Sequence, residues 1–479
     1  MSAPAASTAL LAAHWVLVVA LSLRVISRRS PVGVSMAWLA VAFSLPFVGA
    51  VLYLMFGERR VGPRRRRRIE ARRGEVERLC RELLAFRASV GGDASADLAR
   101  QAEVTVGIPP VAAHRVELLT DDDASFDRLV ADVDAARESC DLGFYIWSEG
   151  GRVADVVDAL VRAAGRGVRC RAIADSTGSE AFLASDSARR LRAAGVRLVA
   201  ALPTGLLRSV FARADLRNHR KIAVVDGRIA YTGSRNLVDP RFFKREAGVG
   251  AWIDAMVRFE GPAAAVVRGV FAFDWSLETN TPFDPALPER EESAGEDVVP
   301  LQVVPSGPDL HPEAIHELLL TSIYAARREL VMTTPYFVPD ESILTALLSA
   351  ARRGVAVTLV VPRDNDSVLV RYASAATYEA LLAAGVRVAL FAGGLLHTKS
   401  LCVDGAFCVF GSVNLDMRSL WLNHEISLFV HDADFTARLR ALQDAYVASA
   451  EDLDLATWRR RPRRQRLAED ACRLVGPLL

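Results

Sequence analysis

One stretch of nineteen residues occurs twice in this chain, and the two copies align without a gap. The first is NHRKIAVVDGRIAYTGSRN, Asn218 to Asn236; the second is LHTKSLCVDGAFCVFGSVN, Leu396 to Asn414. The copies lie about one domain length apart, a period that points to two whole domains rather than to a solenoid. The flanking sequence repeats as well. GRGVRCRAIAD ends at Asp175 and RRGVAVTLVVP ends at Pro362, each reading as a helix end, a turn and a buried strand. Around both copies, strand-like stretches (115–119, 142–147, 168–174, 196–202, then 301–304, 330–334, 355–361) alternate with helix-like ones (124–137, 153–165, then 312–328, 341–353). Such alternation predicts an α/β fold with helices covering a sheet. The expected organisation is one domain over 105–280, a Pro-, Glu- and Asp-rich linker over 281–296, and a second domain over 297–479 ending in a basic tail.

In each copy a histidine and a lysine stand two residues apart on an expected strand, which puts both side chains on one face: His219 with Lys221, and His397 with Lys399. Four mostly apolar residues lead to an Asp-Gly turn, Asp226-Gly227 and Asp404-Gly405. A return strand then reaches Gly233-Ser234-Arg235-Asn236 and Gly411-Ser412-Val413-Asn414. If the hairpins close, Asn236 and Asn414 return near their histidines, with Ser234 and Ser412 as supporting residues. Two His/Lys/Asn sets then face each other across a domain interface.

That set suits phosphoryl transfer. Lysine is a compact charge for phosphate, and histidine changes charge near neutral pH. A pair of histidines permits covalent catalysis, one attacking phosphorus while the other protonates the leaving oxygen and later deprotonates the acceptor. The fixed cations stabilise charge on the phosphoryl oxygens. No metal or cofactor is required. Asp226 and Asp404 complete the cassettes by organising the turn or orienting the lysine, not as proton donors. A single His-x-Lys means little; two copies in register, each with its turn and its Gly-Ser-x-Asn, do not arise by chance.

Hydrophobic residues make up 51% of the chain, so membrane segments must be sought. No Lys, Arg, Asp or Glu occurs from Met1 to Leu23, and a second uncharged run extends from Ser30 to Gly57. Each can supply the ~20 residues a helix needs to cross a bilayer, and Pro46 is tolerable inside such a helix. Residues 1–57 are therefore expected to form a hairpin of two transmembrane helices. A cleaved signal peptide fits less well, because the first run lacks a basic leader and a second run follows closely. Three arginines (Arg24, Arg28, Arg29) join the runs, whereas Arg59, Arg60, Arg64 to Arg68, Arg72 and Arg73 follow the second. That bias places both termini in the cytoplasm. The arginine block, within a helical linker over 58–104, suits anionic headgroups. A second basic stretch, Arg459 to Arg464, would also suit nucleic acid, but beside two apolar runs lipid is the better partner. Six cysteines without CxxC spacing suggest no zinc or disulfide framework.

The cassettes resemble the HxKxxxxD motifs of the phospholipase D superfamily. Within it, the chain is most similar in look to bacterial cardiolipin synthases, over nearly its whole length. RRSPVGVSMAWLAVAFSLPFVGAVLYLMFGERR resembles their membrane segment, ELLTDDDASFDRLVADVDAA and LGFYIWSEGG their first-domain opening, TTPYFVPDESILTAL their second, and GPLL their end. The resemblance implies two tandem αβα sandwich domains with pseudo-twofold symmetry. It implies an inner-membrane enzyme that joins two phosphatidylglycerols into cardiolipin and releases glycerol, through a phosphatidyl-histidine and without a nucleic-acid partner. It further implies that Asp254, in AWIDAMVRFEGP, and Glu425, in RSLWLNHEISL, orient the histidines they follow, as acids do in other triads. By the same analogy His219 is the nucleophile and His397 the acid/base. The chain departs from the family at Arg235, where a second glycine is usual and the side chain is expected to be exposed or on a headgroup. It departs again at His424, where an aromatic is usual; that histidine, His311 and His316 read as structural. The rival readings are a hydrolytic phospholipase D, a nuclease, and a non-catalytic binder of anionic lipid.

Overall fold

The computed structural model describes residues 3–28, 32–45, 47–205, 212–213, 215–285 and 298–476. Two compact units make up the chain: Met1–Arg67 with Thr204–Leu216, and Arg68–Pro203 with Arg217–Leu479.

The larger unit is built on one continuous sheet. In the first half the strands are β1 (Val111–Leu119), β2 (Ser139–Phe144), β3 (Arg169–Asp175), β4 (Arg197–Ala201), β5 (Ile222–Val225), β6 (Ile229–Gly233), a short β7 (Trp252–Ile253) and β8 (Met256–Glu260). The second half supplies β9 (Val299–Ser306), β10 (Glu329–Thr333), a short β11 (Phe337–Val338), β12 (Ala356–Pro362), β13 (Arg387–Phe391), a short β14 (Leu395–Leu396), β15 (Ser400–Val403), β16 (Phe407–Gly411), a short β17 (Leu415–Asp416), β18 (Glu425–Val430) and β19 (Ala450–Asp452). The sheet order is β19-β13-β12-β10-β15-β16-β18-β9-β1-β8-β6-β5-β2-β3-β4. Read outward from the centre, β1-β8-β6-β5-β2-β3-β4 mirrors β9-β18-β16-β15-β10-β12-β13. The seam is the antiparallel pair β1–β9, with Val111 opposite Leu301 and Ala113 opposite Val299. Val111, Val257, Leu301 and Val303 belong to one apolar core, which therefore runs across the seam.

Local chemistry explains the elements. Each cassette hairpin turns on an Asp and a Gly, both at positive φ (Asp226 51°, Gly227 67°; Asp404 54°, Gly405 68°), and the turn closes where the Arg228 amide donates to the Val225 carbonyl at 3.1 Å and the Ala406 amide to the Val403 carbonyl at 2.9 Å. Helix Glu341–Arg352 starts where Asp340 accepts the Ile343 amide at 2.9 Å, the N-cap bond that a carboxylate makes best. Helix Pro262–Thr279 opens on proline, which has no amide to leave unpaired there, and is buried along nearly its whole length. Expected elements and observed ones agree to within four residues at their ends. Helix Asp93–Val106, in the stretch read as a linker, docks on the core instead: Gln302 donates to the carbonyls of Ala99 (3.1 Å) and Ile108 (2.7 Å). Most of the stretch read as the inter-domain linker, from residue 286 on, lies outside the described residues, as does the end of GPLL.

In the smaller unit, Thr8–Ser27 is a helix long and apolar enough to cross a membrane. The second apolar run is not one helix. It divides into Val32–Ser44 and Val48–Leu52, the latter continuing as a π turn to Gly57; Pro46 itself lies outside the described residues. The second piece turns back along the first helix. Phe43 and Phe47 meet Trp15 and His14 at 6.0 and 5.9 Å, while Glu58 receives Arg24 at 2.5 and 3.0 Å and Arg28 at 3.1 Å. Two full spans would hold Arg24 and Glu58 about 30 Å apart. His14 is buried among these rings, a packing residue.

Candidate active site

The two His-x-Lys segments lie just ahead of β5 and β15, not within them. Each leaves its own half and pairs with the other. The Asn218 backbone bridges His424, and the His219 amide donates to the His424 carbonyl at 2.9 Å. In the same manner β14 pairs in parallel with β7, Leu396 opposite Ile253, and the His397 amide donates to the Ile253 carbonyl at 2.8 Å. In both places the next residue of the partner segment is an acid.

The consequence is a crossed pairing. His219 Nδ1 lies 2.8 Å from Glu425 Oε2, and His397 Nδ1 lies 2.8 Å from Asp254 Oδ1. Each histidine is held by the other half's acid, not by the acid that follows it in its own half as expected from the sequence. Each acid is in turn held by the serine of its own half: Ser234 Oγ donates to Asp254 and Ser412 Oγ to Glu425, both at 2.5 Å. The glycine before each serine is obligatory, because a Cβ on Gly233 or Gly411 would collide with the carbonyl oxygen of Ala255 or Ile426. Lys221 and Lys399 each donate to the carbonyl of their own histidine, at 2.6 and 2.5 Å.

All four cassette side chains are buried. Burial pushes His219 and His397 down to about 4, against the pull of the carboxylate each one faces. Burial also lowers Lys221 to about 7 and Lys399 to about 8, and the two ammonium groups repel each other. For Asp254 and Glu425 burial works upward, but the facing histidine and lysine hold both carboxyls below their ordinary range. At neutral pH the site thus holds two ionised acids and two neutral imidazoles. Each imidazole gives Nδ1 to its acid, which leaves Nε2 for chemistry. Asn236 and Asn414 follow the return strands and are buried. Asn236 accepts from the Ile146 amide at 3.1 Å, and its Nδ2 has no partner among the described residues; Asn414 Oδ1 has none either. Buried polar atoms without partners are rare, and these suit phosphate oxygens or headgroup hydroxyls.

A family description, "Cardiolipin synthase, PLD-like domain", matches residues 129–257 and 319–445, and "Phospholipase_D-nuclease N-terminal" matches residues 16–58. Cardiolipin synthase A of Yersinia pseudotuberculosis serotype O:1b (strain IP 31758) is 44% identical over 474 residues, 97% of either chain, and the Yersinia pestis protein of that name matches equally. The chain belongs to the cardiolipin synthase family. Phosphatidylserine synthase of Haemophilus influenzae Rd KW20 superposes with a TM-score of 0.60, covering 80% of this chain and 100% of its own at 13% identity, which shows a shared fold.

Within this cardiolipin synthase family chain, not every cassette residue reaches the site. Asp226 lies at the far end of its hairpin, roughly 15 Å of extended chain from Lys221. Its carboxylate accepts the amides of Arg137 (2.9 Å), Glu138 and Ser139 (2.8 Å each). Asp404 does the same for Arg327, Arg328 and Glu329 at 2.8, 2.7 and 2.8 Å. Both organise the turn; neither is placed to orient a lysine. Arg235, expected to be exposed or on a headgroup, is buried. Its guanidinium reaches Asp122 and donates to the Asp254 carbonyl at 3.1 Å. His424 is fully buried with its Nδ1 3.4 Å from the Asp309 carboxylate, and His316 pairs with Asp340 at 2.8 Å.

Several residues at the site escape a reading by motif. Tyr145 and Trp252 place their rings 4.8 and 4.2 Å from His219 and His397. Arg220, the middle residue of His-Arg-Lys, points to the reverse face and braces the halves. It pairs with Asp274 on helix Pro262–Thr279 and donates to the carbonyls of Glu425 (2.9 Å) and Ser306 (3.1 Å). Thr398 takes the equivalent place in the second cassette, donating to the Ile253 carbonyl at 3.1 Å. The only sequence signal for Arg220 was a charge flanked by the two catalytic candidates.

Proposed function

We propose that this chain transfers a phosphatidyl group from one phosphatidylglycerol to another, giving cardiolipin and glycerol. The observation that carries the proposal is the pair of histidines, each locked through Nδ1 by a buried acid of the opposite half and flanked by a buried lysine. In the first step His219 Nε2 attacks phosphorus, the bond to glycerol oxygen breaks, and His397, protonated once the anionic substrate is bound, gives its proton to that oxygen. In the second, a hydroxyl of the incoming phosphatidylglycerol gives its proton to His397 and attacks phosphorus. The P–N bond breaks and His219 is restored. Glu425 and Asp254 stabilise positive charge on the imidazoles, while Lys221, Lys399 and the Asn236 amide nitrogen hold the phosphoryl oxygens and the Asn414 amide oxygen accepts a headgroup hydroxyl. Asp226 and Asp404 stay outside this set.

The family and the apolar helix mark a membrane-associated protein, and the site is supplied with lipid from that membrane. Arg24 lies in the last turn of the helix Thr8–Ser27, and Arg28, Arg59, Arg60 and Arg64 to Arg68 all follow it. If that helix alone crosses, every one of these arginines falls on one side, and the positive-inside rule makes that side, with the catalytic halves, cytoplasmic. The fold-back of the second run supports this reading over two crossings. The deciding experiment supplies the full chain with vesicles of pure phosphatidylglycerol. Cardiolipin and glycerol in equal amounts are expected; phosphatidic acid as the only product would overturn transfer in favour of hydrolysis.

A further inference from the structure

Two loops of the larger unit close on His397, and both carry apolar side chains exposed to water. Phe242 is 68% exposed, Val368 60% and Leu369 49%. Phe242 adjoins Phe243, whose ring meets Trp252 edge-on at 5.0 Å, and Trp252 in turn lies 4.2 Å from His397. Val368 and Leu369 begin helix Val368–Ala383, two residues beyond Asp366. Asp366 accepts the Tyr336 hydroxyl at 2.9 Å, and the Tyr336 ring stands 6.3 Å from His397. Lys244 ties the loops together by its 3.1 Å ion pair to Asp366. Single exposed apolar residues need no explanation; three on two linked loops, flanking one side of a reaction centre, do.

Charge fits the same partner. Arg245 and Arg371 are exposed on these segments and have no carboxylate partner among the described residues. We propose that Phe242, Val368 and Leu369 form an insertion rim that seats the His397 side of the site in an anionic bilayer surface. The apolar side chains enter the boundary between headgroups and acyl chains while the guanidinium groups stay with the phosphates. A phosphatidyl headgroup can then reach the site without its chains leaving the bilayer. This rests on the lipid substrate proposed above.

The test compares two substrates and one physical readout, on the full chain. Phe242→Asp and the pair Val368→Asp/Leu369→Asp should raise KM for phosphatidylglycerol vesicles about tenfold each, since each removes apolar surface that would otherwise enter the bilayer. Turnover of dispersed dihexanoyl-phosphatidylglycerol should stay within twofold, which also reports that the variants are folded. Unchanged KM on vesicles, or equal loss on both substrates, would overturn the rim. Phe242→Trp adds a reading independent of catalysis: fluorescence quenched by brominated phosphatidylglycerol vesicles beyond the quenching of the parent protein. If the parent makes no product from phosphatidylglycerol, the proposed reaction fails, and the quenching still decides the rim. No extra quenching would sink it.

Discussion

Glu425→Gln should damage the histidine of the opposite half, and an activated substrate can reveal which one. The side chain it would replace lies 2.8 Å from His219 Nδ1, and both groups are buried. A hydrogen bond to a charged group at such a site is worth about 1.5–3 kcal/mol. Its charge-assisted part matters most as positive charge grows on the imidazole, so the loss should appear as roughly a 10- to 150-fold slower attack. A phosphatidyl ester of p-nitrophenol needs no proton on its leaving group. Its first step therefore depends on the nucleophile and its acid but not on the acid/base pair. Rapid mixing should show a burst of p-nitrophenol that is abolished in His219→Ala, slowed to that extent in Glu425→Gln, and nearly intact in His397→Ala and Asp254→Asn. A burst lost in His397→Ala and Asp254→Asn instead would exchange the roles of the histidines but keep the crossing. A burst that needs His219 yet ignores Glu425 and fails in Asp254→Asn would refute the crossed pairing itself.

The lysines set a pH dependence. With Lys221 lowered to about 7 and Lys399 to about 8, both are charged below pH 7 and both lose their protons as pH rises past 8. Phosphodiester binding should weaken in that direction, and KM for phosphatidylglycerol should climb about tenfold per pH unit between 7 and 8 and up to about a hundredfold per unit above 8, one factor of about ten for each lysine; a KM flat from pH 7 to 9.5 would contradict it. Arg220→Met leaves Asp274 buried without its ion pair, so a loss of about 3–5 kcal/mol in denaturant unfolding is expected, with most of it recovered in Arg220→Met/Asp274→Leu. Asp226→Ala removes the acceptor of three backbone amides and should lower the midpoint of thermal unfolding, by about 1–3 kcal/mol in stability. Its kcat per folded molecule, titrated by burst amplitude, should stay within threefold.

The repeat made the fold legible because each cassette is a local object. Its Asp-Gly turn, its two-residue period and its Gly-Ser-x-Asn can all be read within nineteen residues. The crossing could not be read that way. Asp254 and Glu425 follow His219 and His397 in the chain, and only the departure of the His-x-Lys segments from their own strands carries each to the other half. Asp226 shows the converse: its place inside the motif suggested chemistry, while its positive φ and three amide partners show a turn. Arg235 and Arg220 were illegible because burial of a charge depends on partners distant in sequence, Asp122 for one and Asp274 for the other. The second apolar run passed the test of length, yet Arg24 and Glu58 meet at one end of the smaller unit.

The crossed acids also constrain how the two halves can change over generations. Neither copy holds a complete set: the first has a histidine served by a glutamate it does not encode, and the second a histidine served by a borrowed aspartate. After duplication the copies were therefore not free to drift apart, one kept intact while the other decayed. A lesion in one acid should slow the histidine of its sibling. The one-methylene difference between Glu425 and Asp254 further implies that each copy has shaped its backbone to the reach of the other's side chain. Substitutions should thus co-vary between His219 and the surroundings of Glu425, and between His397 and those of Asp254, more strongly than within either half.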